Sequence, residues 1–517
     1  MSPRYRQLGL ASALALTGCM TGPDYARPEV IVPQAWSDQQ VTGIQQGVDP
    51  VARWWTQLND PQLNLLIEQA IANNVDVQIA ETRVRQARAA RGIAAAAMRP
   101  SVGASASYRV EESREVDFDQ GGSPVSAGLG FGPGGLTRTF TYRGKNATVS
   151  RSVSAAGPNT SVTVTPGGGG GQDRINDYFA VGFDAAWELD IFGGNRRAIE
   201  AADAEIEAAE ERRRDILVVV LSEVALNYTE LRAAQQRLAI AQRNIEAQRD
   251  TVRLTRARFE AGLNSELDTI RAESLLATTQ SQVPLLEEEI QRDMHRLAVL
   301  LGSEPTALKA ELDAVAPIPA APTEIPVGLP SELLQRRPDI RAAERTLAAQ
   351  TARIGVAVAD LYPKFTLTGS LSGLDSGFGF LDSANRTWSI GPGVSWPIFD
   401  AGRIRANIEV QNARQEEALR GYEQSILLAL EDVENGLLGF AKEQQRRAAL
   451  ARAVEANARA VRLANERYLQ GLEDFLTVLD AQQRQYQSED QLVQSEGFVM
   501  LNLISLYKAL GGGWEDI

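Results

Sequence analysis

The chain has 517 residues and a mass of 56.1 kDa, is 44% hydrophobic but only 6% aromatic, and carries a net charge of −14 with a pI near 4.9. At roughly 150 residues per domain the length suggests about three domains. The acidic balance argues against the basic face that a nucleic-acid partner would need. One Cys and one His exclude an intrachain disulfide and the usual zinc or haem sites.

With so few aromatics, buried positions fall to Ala, Leu, Val and Ile, a composition suited to long helices. The longest apolar run, Ile216 to Leu221, is far below the roughly 18 to 20 residues of a membrane-spanning helix. That excludes an inner-membrane protein but leaves a β-barrel open.

Arg4 and Arg6 precede a short apolar stretch from Leu8 to Leu16, the pattern of a secretory signal, so residues 1–18 read as a signal peptide. It ends Leu16-Thr17-Gly18-Cys19, which resembles a bacterial lipobox and makes Cys19 the site of a covalent lipid. The alternative is a chance Cys that stays a free thiol. Several acyl chains at ~0.8 kcal/mol per buried methylene would anchor the chain stably. Met20, where an Asp would retain the protein at the inner membrane, points to the outer membrane. Residues 19–60 then form a lipid-anchored extended segment.

Four segments alternate with a period of two. Val102 to Val110 and Phe179 to Leu189 are the first pair, and Phe365 to Leu371 and Trp388 to Ile398 the second. A soluble half-buried sheet would show the same period, and the outer-membrane address favours lipid-facing strands. An open sheet has no place in hydrocarbon, and about four strands are too few to close a barrel. Several chains must therefore contribute to one barrel. Between the first two strands, Glu111 to Asn176 is rich in Gly, Ser, Thr and Asn and reads as a long outer loop. Its Gly167 to Gly171 run lacks the Lys-Ser/Thr of a phosphate loop.

From Asn195 to Ala261 no Gly or Pro occurs for 67 residues, roughly 100 Å of helix. Leu217, Val224, Leu231, Leu238, Ile245, Val252 and Phe259 recur every seventh residue. The partner heptad position turns polar at Gln235, Gln242, Arg249 and Arg256. So narrow a stripe suits helices standing side by side in a ring. His295, in the returning helix, reads as a surface or packing residue.

The chain repeats itself. Val252 to Leu267 matches Val461 to Leu476 at an offset of 209, whereas Asp76 to Pro100 matches Asp339 to Pro363 at 263, which places 54 extra residues in the first copy. Repeat 1 spans 61–302, a Pro-rich linker 303–330, repeat 2 331–511 and a tail 512–517. Each repeat is a helix, a strand hairpin and a long helical hairpin.

The chain resembles the TolC-type outer membrane efflux proteins, in their NodT-like lipoprotein branch. The resemblance rests on the lipobox, on Gly22-Pro23-Asp24-Tyr25 with Arg27-Pro28, on Arg336-Arg337-Pro338-Asp339-Ile340-Arg341, and on the tip motif from Arg467-Tyr468 to Leu479-Asp480-Ala481-Gln482. It implies an α+β fold: a homotrimer whose outer-membrane β-barrel, 12 strands in all, continues into a long periplasmic α-helical barrel. It also implies a passive duct that meets a periplasmic adaptor and an inner-membrane pump of RND or ABC type. Gly262, Leu263, Gly471 and Leu472 would be the adaptor-contact tips. Leu476 and Asp480 would form apolar and carboxylate rings at the periplasmic gate, the latter favouring cations. Thr477 stands where some members carry a second aspartate, so the charge of the constriction is less determined than its position.

The resemblance implies no cofactor beyond the lipid, no nucleic acid and no catalysis. The alternative within transport is a duct for type I protein secretion or metal export. Outside transport, a periplasmic coiled-coil lipoprotein would explain the helices and Cys19 but not the strands.

Overall fold

The computed structural model describes residues 20–37, 44–46, 52–113, 125–132, 135–143, 147–154, 160–166, 174–322, 325–375 and 386–515. The signal peptide, Cys19 and the Gly167 to Gly171 run lie outside them. The chain divides into a helical unit (residues 1–99, 188–365 and 394–517) and a strand unit (100–187 and 366–393).

In the helical unit, short helices α1 (Pro61–Asn73) and α2 (Val75–Ala96) precede α3 (Gly194–Glu260), α4 (Glu266–Gln280) and α5 (Val283–Leu300). A single turn α6 (Lys309–Leu312) and α7 (Pro330–Arg336) bracket the linker, and α8 (Pro338–Ala359), α9 (Arg403–Leu469) and α10 (Phe475–Ala509) complete the set. The repeat is visible in these bounds. Both α3 and α9 have 67 residues and their ends stand 209 apart, while α2 and α8 have 22 each and stand 263 apart. One difference is the return helix, continuous in α10 but broken between α4 and α5, where Pro284 lacks the N–H a continuous helix requires.

The core gathers around the middle of the long helices. Leu217, Val224 and Leu231 of α3 are at most 1% exposed and pack in one cluster with Val433 and Phe440 of α9 and Leu503 of α10. Trp54 stacks on Tyr507 at 5.2 Å in the same cluster. Toward the tips the heptad stripe opens, and Phe259 is 42% exposed. At the first polar position of the partner heptad there is a specific cause: Gln235 is buried and donates from Nε2 to the Leu312 carbonyl at 2.6 Å, and nearby Arg232 donates to the Ala314 carbonyl at 2.8 Å, whereas Gln242, Arg249 and Arg256 are exposed. The linker is thus sewn to α3 by side chains that serve its unpaired carbonyls. It also holds β8 (Ile325–Val327), paired in parallel with β1 (Ile44–Gln46).

In the strand unit, β2 (Ser101–Ser113), β7 (Arg174–Leu189), β9 (Lys364–Asp375) and β10 (Arg386–Ser395) form one sheet in the order β10-β9-β7-β2. These are the four strands the alternation predicts, except that β10 stops before Trp396 and Ile398. β2 and β7 pair antiparallel from Ser101↔Ala186 to Ser113↔Arg174. Val102, Phe183, Trp388 and Ile390 are more than half exposed in the protomer, the apolar outward face that a lipid-embedded sheet presents.

The insertion is a correction. Instead of an irregular loop from 111 to 176, the flanking strands run on into it. Between them β3 (Val125–Gly132), β4 (Gly135–Arg143), β5 (Ala147–Ser154) and β6 (Thr160–Pro166) form a second four-stranded antiparallel sheet. The physical reason is alternation of Ser and Thr with Val, Leu and Phe, a strand signal that the bulk Gly content hides.

Candidate functional site

The two tips are twin Schellman turns. Leu263 N–H donates to the Arg258 carbonyl and Gly262 N–H to Phe259, both at 2.8 Å; Leu472 N–H donates to Arg467 at 2.9 Å and Gly471 N–H to Tyr468 at 3.0 Å. The glycines adopt φ of +71° and +75°, which an L side chain enters only with strain. The leucine after each usually folds back onto the helix, yet Leu263 and Leu472 are 66% and 61% exposed. Ser265 and Asp474 then cap the return helices, accepting from Leu267 N–H at 3.2 Å and Leu476 N–H at 3.3 Å.

A satellite core holds the tips together. Tyr468 and Phe475 sit 5.2 Å apart, Arg258 stacks over Tyr468 at 4.7 Å, and Ala272 of α4 joins the same cluster. Burial of Phe475, Val478, Leu479 and Ala481 leaves Leu476 and Asp480 on the opposite, exposed face of α10. The sequence reading missed Arg484, one turn further on, whose Nε lies 3.0 Å from Asp480 Oδ2. The carboxylate is therefore paired within its own helix rather than bare. The signal was available as the i,i+4 spacing of Asp and Arg.

Near the N-terminus, Arg197 of α3 is 2% exposed and collects the segment that follows Cys19. It reaches Asp24 Oδ1 at 2.6 Å, the Thr21 carbonyl at 3.1 Å and Glu200 at 2.7 Å. Thr21 N–H donates to the Phe192 carbonyl at 3.2 Å. Gly22, at φ +86°, crosses so close to Gly355 that a Cβ would lie 2.4 Å from the Gly355 Cα. Further along, Tyr25 donates to buried Glu344 at 3.2 Å, and Arg27 pairs with the same carboxylate. Burial, then the Glu344 charge, push the Tyr25 phenol up. The Gly-Pro-Asp-Tyr motif is thus a strap across the helical unit.

Among the described residues no group of three His, Cys, Asp or Glu is placed to hold a metal ion, and His295 is exposed. No described helix is long and apolar enough to cross a membrane.

A sheet with an apolar outer face, paired with twinned helical hairpins ending in exposed turns, defines an outer-membrane channel subunit. The comparisons with known proteins agree. The family model for outer membrane efflux proteins matches residues 144–303 and 329–512, and the chain belongs to that family. It is 31% identical to Nodulation protein T of Rhizobium leguminosarum bv. trifolii over 98% of this chain and 97% of that one. It is 29% identical to the solvent efflux pump outer membrane protein SrpC of Pseudomonas putida over 99% of each. Among solved structures it resembles the outer-membrane channel OprN, with a TM-score of 0.78, 36% identity, and 96% of this chain and 100% of that one covered. The fold class is accordingly α+β, a trimeric outer-membrane β-barrel continued by a periplasmic α-helical barrel. The protein is an efflux channel and not an enzyme.

Proposed function

We propose that this channel is the passive exit duct of a tripartite efflux system for small toxic compounds, a homotrimer held at the outer membrane by lipid on Cys19. In this reading a periplasmic adaptor and an inner-membrane pump of RND or ABC type deliver the cargo. The observation that carries the adaptor contact is the pair of exposed leucines. Leu263 and Leu472 project apolar surface from rigid Schellman turns whose glycines have no neighbour within 4 Å of an added Cβ. Similarity to a solvent efflux pump component supports the substrate class.

The test is a photoreactive residue at 472 in cells: it should capture a periplasmic adaptor. Leu263→Asp with Leu472→Asp should abolish both that capture and solvent resistance while trimers still form. Unchanged resistance would sink the contact.

Leu476 and the Asp480–Arg484 pair would form the narrow level of the duct. In planar bilayers conductance should be low and should rise in Asp480→Ala. Arg484→Ala, which bares the carboxylates, should raise cation over anion permeability severalfold, since unit charges about 4 Å apart interact by roughly 1 kcal/mol even in water. Reversal potentials identical to wild type in both variants would remove this level from the gate.

A further inference from the structure

Among the described residues the helices of the helical unit stand side by side in a fixed order. Toward the ends joined to strands the order is α2, α3, α8, α9; toward the tips it is α4 with α5, then α3, α10 and α9. Two sides of this layer have no helix packed along them: α2 with α4 and α5 on one, α9 over its whole length on the other. Both keep apolar surface. Val77, Ala80 and Val84 of α2 are buried, yet Ile79 and Ile93 are exposed; Ile426 and Val433 of α9 are buried, yet Val410, Leu427, Leu428 and Leu438 are exposed.

The two open sides carry opposite charge at each level. From Arg403 to Glu434, α9 has seven Asp or Glu against four Arg, and from Lys442 to Arg467 it has seven Lys or Arg against three Glu. The other side runs the opposite way. There α2 has four Arg against two acids, while α4 and α5 together have seven acids against three Arg. The levels correspond, because α2 leads into β2 and α9 starts just after β10, whereas α4 begins and α9 ends at a tip.

The internal repeat supplies the register. By its offsets α9 is the counterpart of α3 and α2 that of α8, so α9 of one copy against α2 of the next would rebuild the α3–α8 joint that already exists within the protomer. That joint carries ion pairs from Arg345 to Glu207 at 3.1 Å and from Arg341 to Glu211 at 2.6 Å. The offsets of 263 and 209 take Arg345 to Thr82 and Glu207 to Glu416. Arg83 and Arg85 of α2 then arrive within about one turn of Glu416 and Glu417 of α9. All four are exposed, and Arg83, Arg85 and Glu417 make no ion pair in the protomer. By contrast Arg88 and Arg91 are engaged with Glu210 and Asp203 of their own α3.

We propose that the occupant of each open side is a second copy of this chain, joined head to tail, with α9 of one copy lying along α2, α4 and α5 of the next and Arg83 and Arg85 meeting Glu416 and Glu417 across the seam. The inference rests on the homotrimer reading and adds to it the faces and the register. Opposite signs at both levels attract in this arrangement, while two α9 faces set against each other would repel, so the charges select a closed heterologous ring over a two-fold dimer.

The experiment uses the full-length protein in detergent and follows the dissociation of trimers to monomers at a fixed temperature by size-exclusion chromatography with light scattering. Arg83→Glu with Arg85→Glu should speed dissociation at least about tenfold. Adding Glu416→Arg and Glu417→Arg to that chain restores opposite charges at every seam and should recover most of the loss. The same two α9 changes should not rescue Arg88→Glu with Arg91→Glu, whose partners lie within the protomer. Unchanged dissociation of the α2 reversal, or a loss that the α9 changes leave in place, overturns the seam while the trimer reading stands; a wild-type protein that is not a trimer overturns both. Should the four-residue swap fail to assemble, Arg85→Cys with Glu416→Cys decides the matter: a short bifunctional thiol reagent should give covalent trimers from the pair and from neither single variant, and monomers alone would refute the contact.

Discussion

Arg337→Ala is expected to cost the helical unit about 2–4 kcal/mol, a little below the ~3–5 kcal/mol for breaking a fully buried ion pair because one partner stays half in water. Arg337 is 12% exposed in its side chain and ties three helices at one point. It grips Asp339 with two parallel bonds of 3.0 and 2.7 Å at the start of α8, reaches Asp432 of α9 at 3.1 Å, and donates to the Ala509 carbonyl at the end of α10 at 3.1 Å. A Cβ at Gly511, just past α10, would lie 3.0 Å from its Cγ, so the stem is packed as well as the head. Truncation leaves the Asp339 carboxylate with the Ile340 N–H at 2.9 Å but no cation, and takes the guanidinium donor from the α10 terminus. Arg337→Lys should recover less than half of the loss, since an ammonium cannot reproduce the fork. Thermal unfolding of the purified protein by circular dichroism measures this, with exposed Arg420→Ala as the control expected to leave the melting temperature essentially unchanged. Equal melting of Arg337→Ala and the control would refute the keystone role.

The same residue shows what the sequence could convey. Arg336 to Arg341 is legible as a signature, but its meaning is tertiary. Arg341 pairs with Glu211 at 2.6 Å, and both Arg214 and Arg341 stack on Trp514 at 4.8 and 5.2 Å. None of these partners is near it in the chain. Helix lengths, the tip turns and the four strands of the main sheet follow from local rules: uninterrupted helix formers, glycine at the left-handed position, and a period of two. The second sheet stayed hidden because its strands are of 7 to 9 residues and half Gly, Ser or Thr, so composition outweighed alternation. The strap at Thr21 to Arg27 was legible only as a motif, because Arg197 and Glu344 meet it from 173 and 319 residues away.

Asp293→Asn is expected to stabilise the protein at pH 8 and to leave it nearly unchanged at pH 4. Asp293 on α5 is 5% exposed and its Oδ2 has no hydrogen-bond partner. Burial first, then repulsion from Glu230 on α3 and Glu289 on α5, push its carboxyl up to about 7, with Arg292 opposing. Glu289 is itself drawn toward Arg237, at 3.5 Å, so that guanidinium is shared with Asp490 and is not free to neutralise the cluster. The unfolded chain releases this proton near the usual 3.8. Between pH 4 and 7 the unfolded state therefore ionises while the native state holds its proton, and stability falls as pH rises. Above 7 the native carboxylate is charged and the loss is complete. An amide never ionises, so the advantage of Asp293→Asn should grow from near zero at pH 4 to on the order of 2 kcal/mol by pH 8 and then level off. Urea unfolding at a series of pH values reads the difference. A gap between the two proteins that does not change with pH would mean that Asp293 already ionises freely in the folded protein.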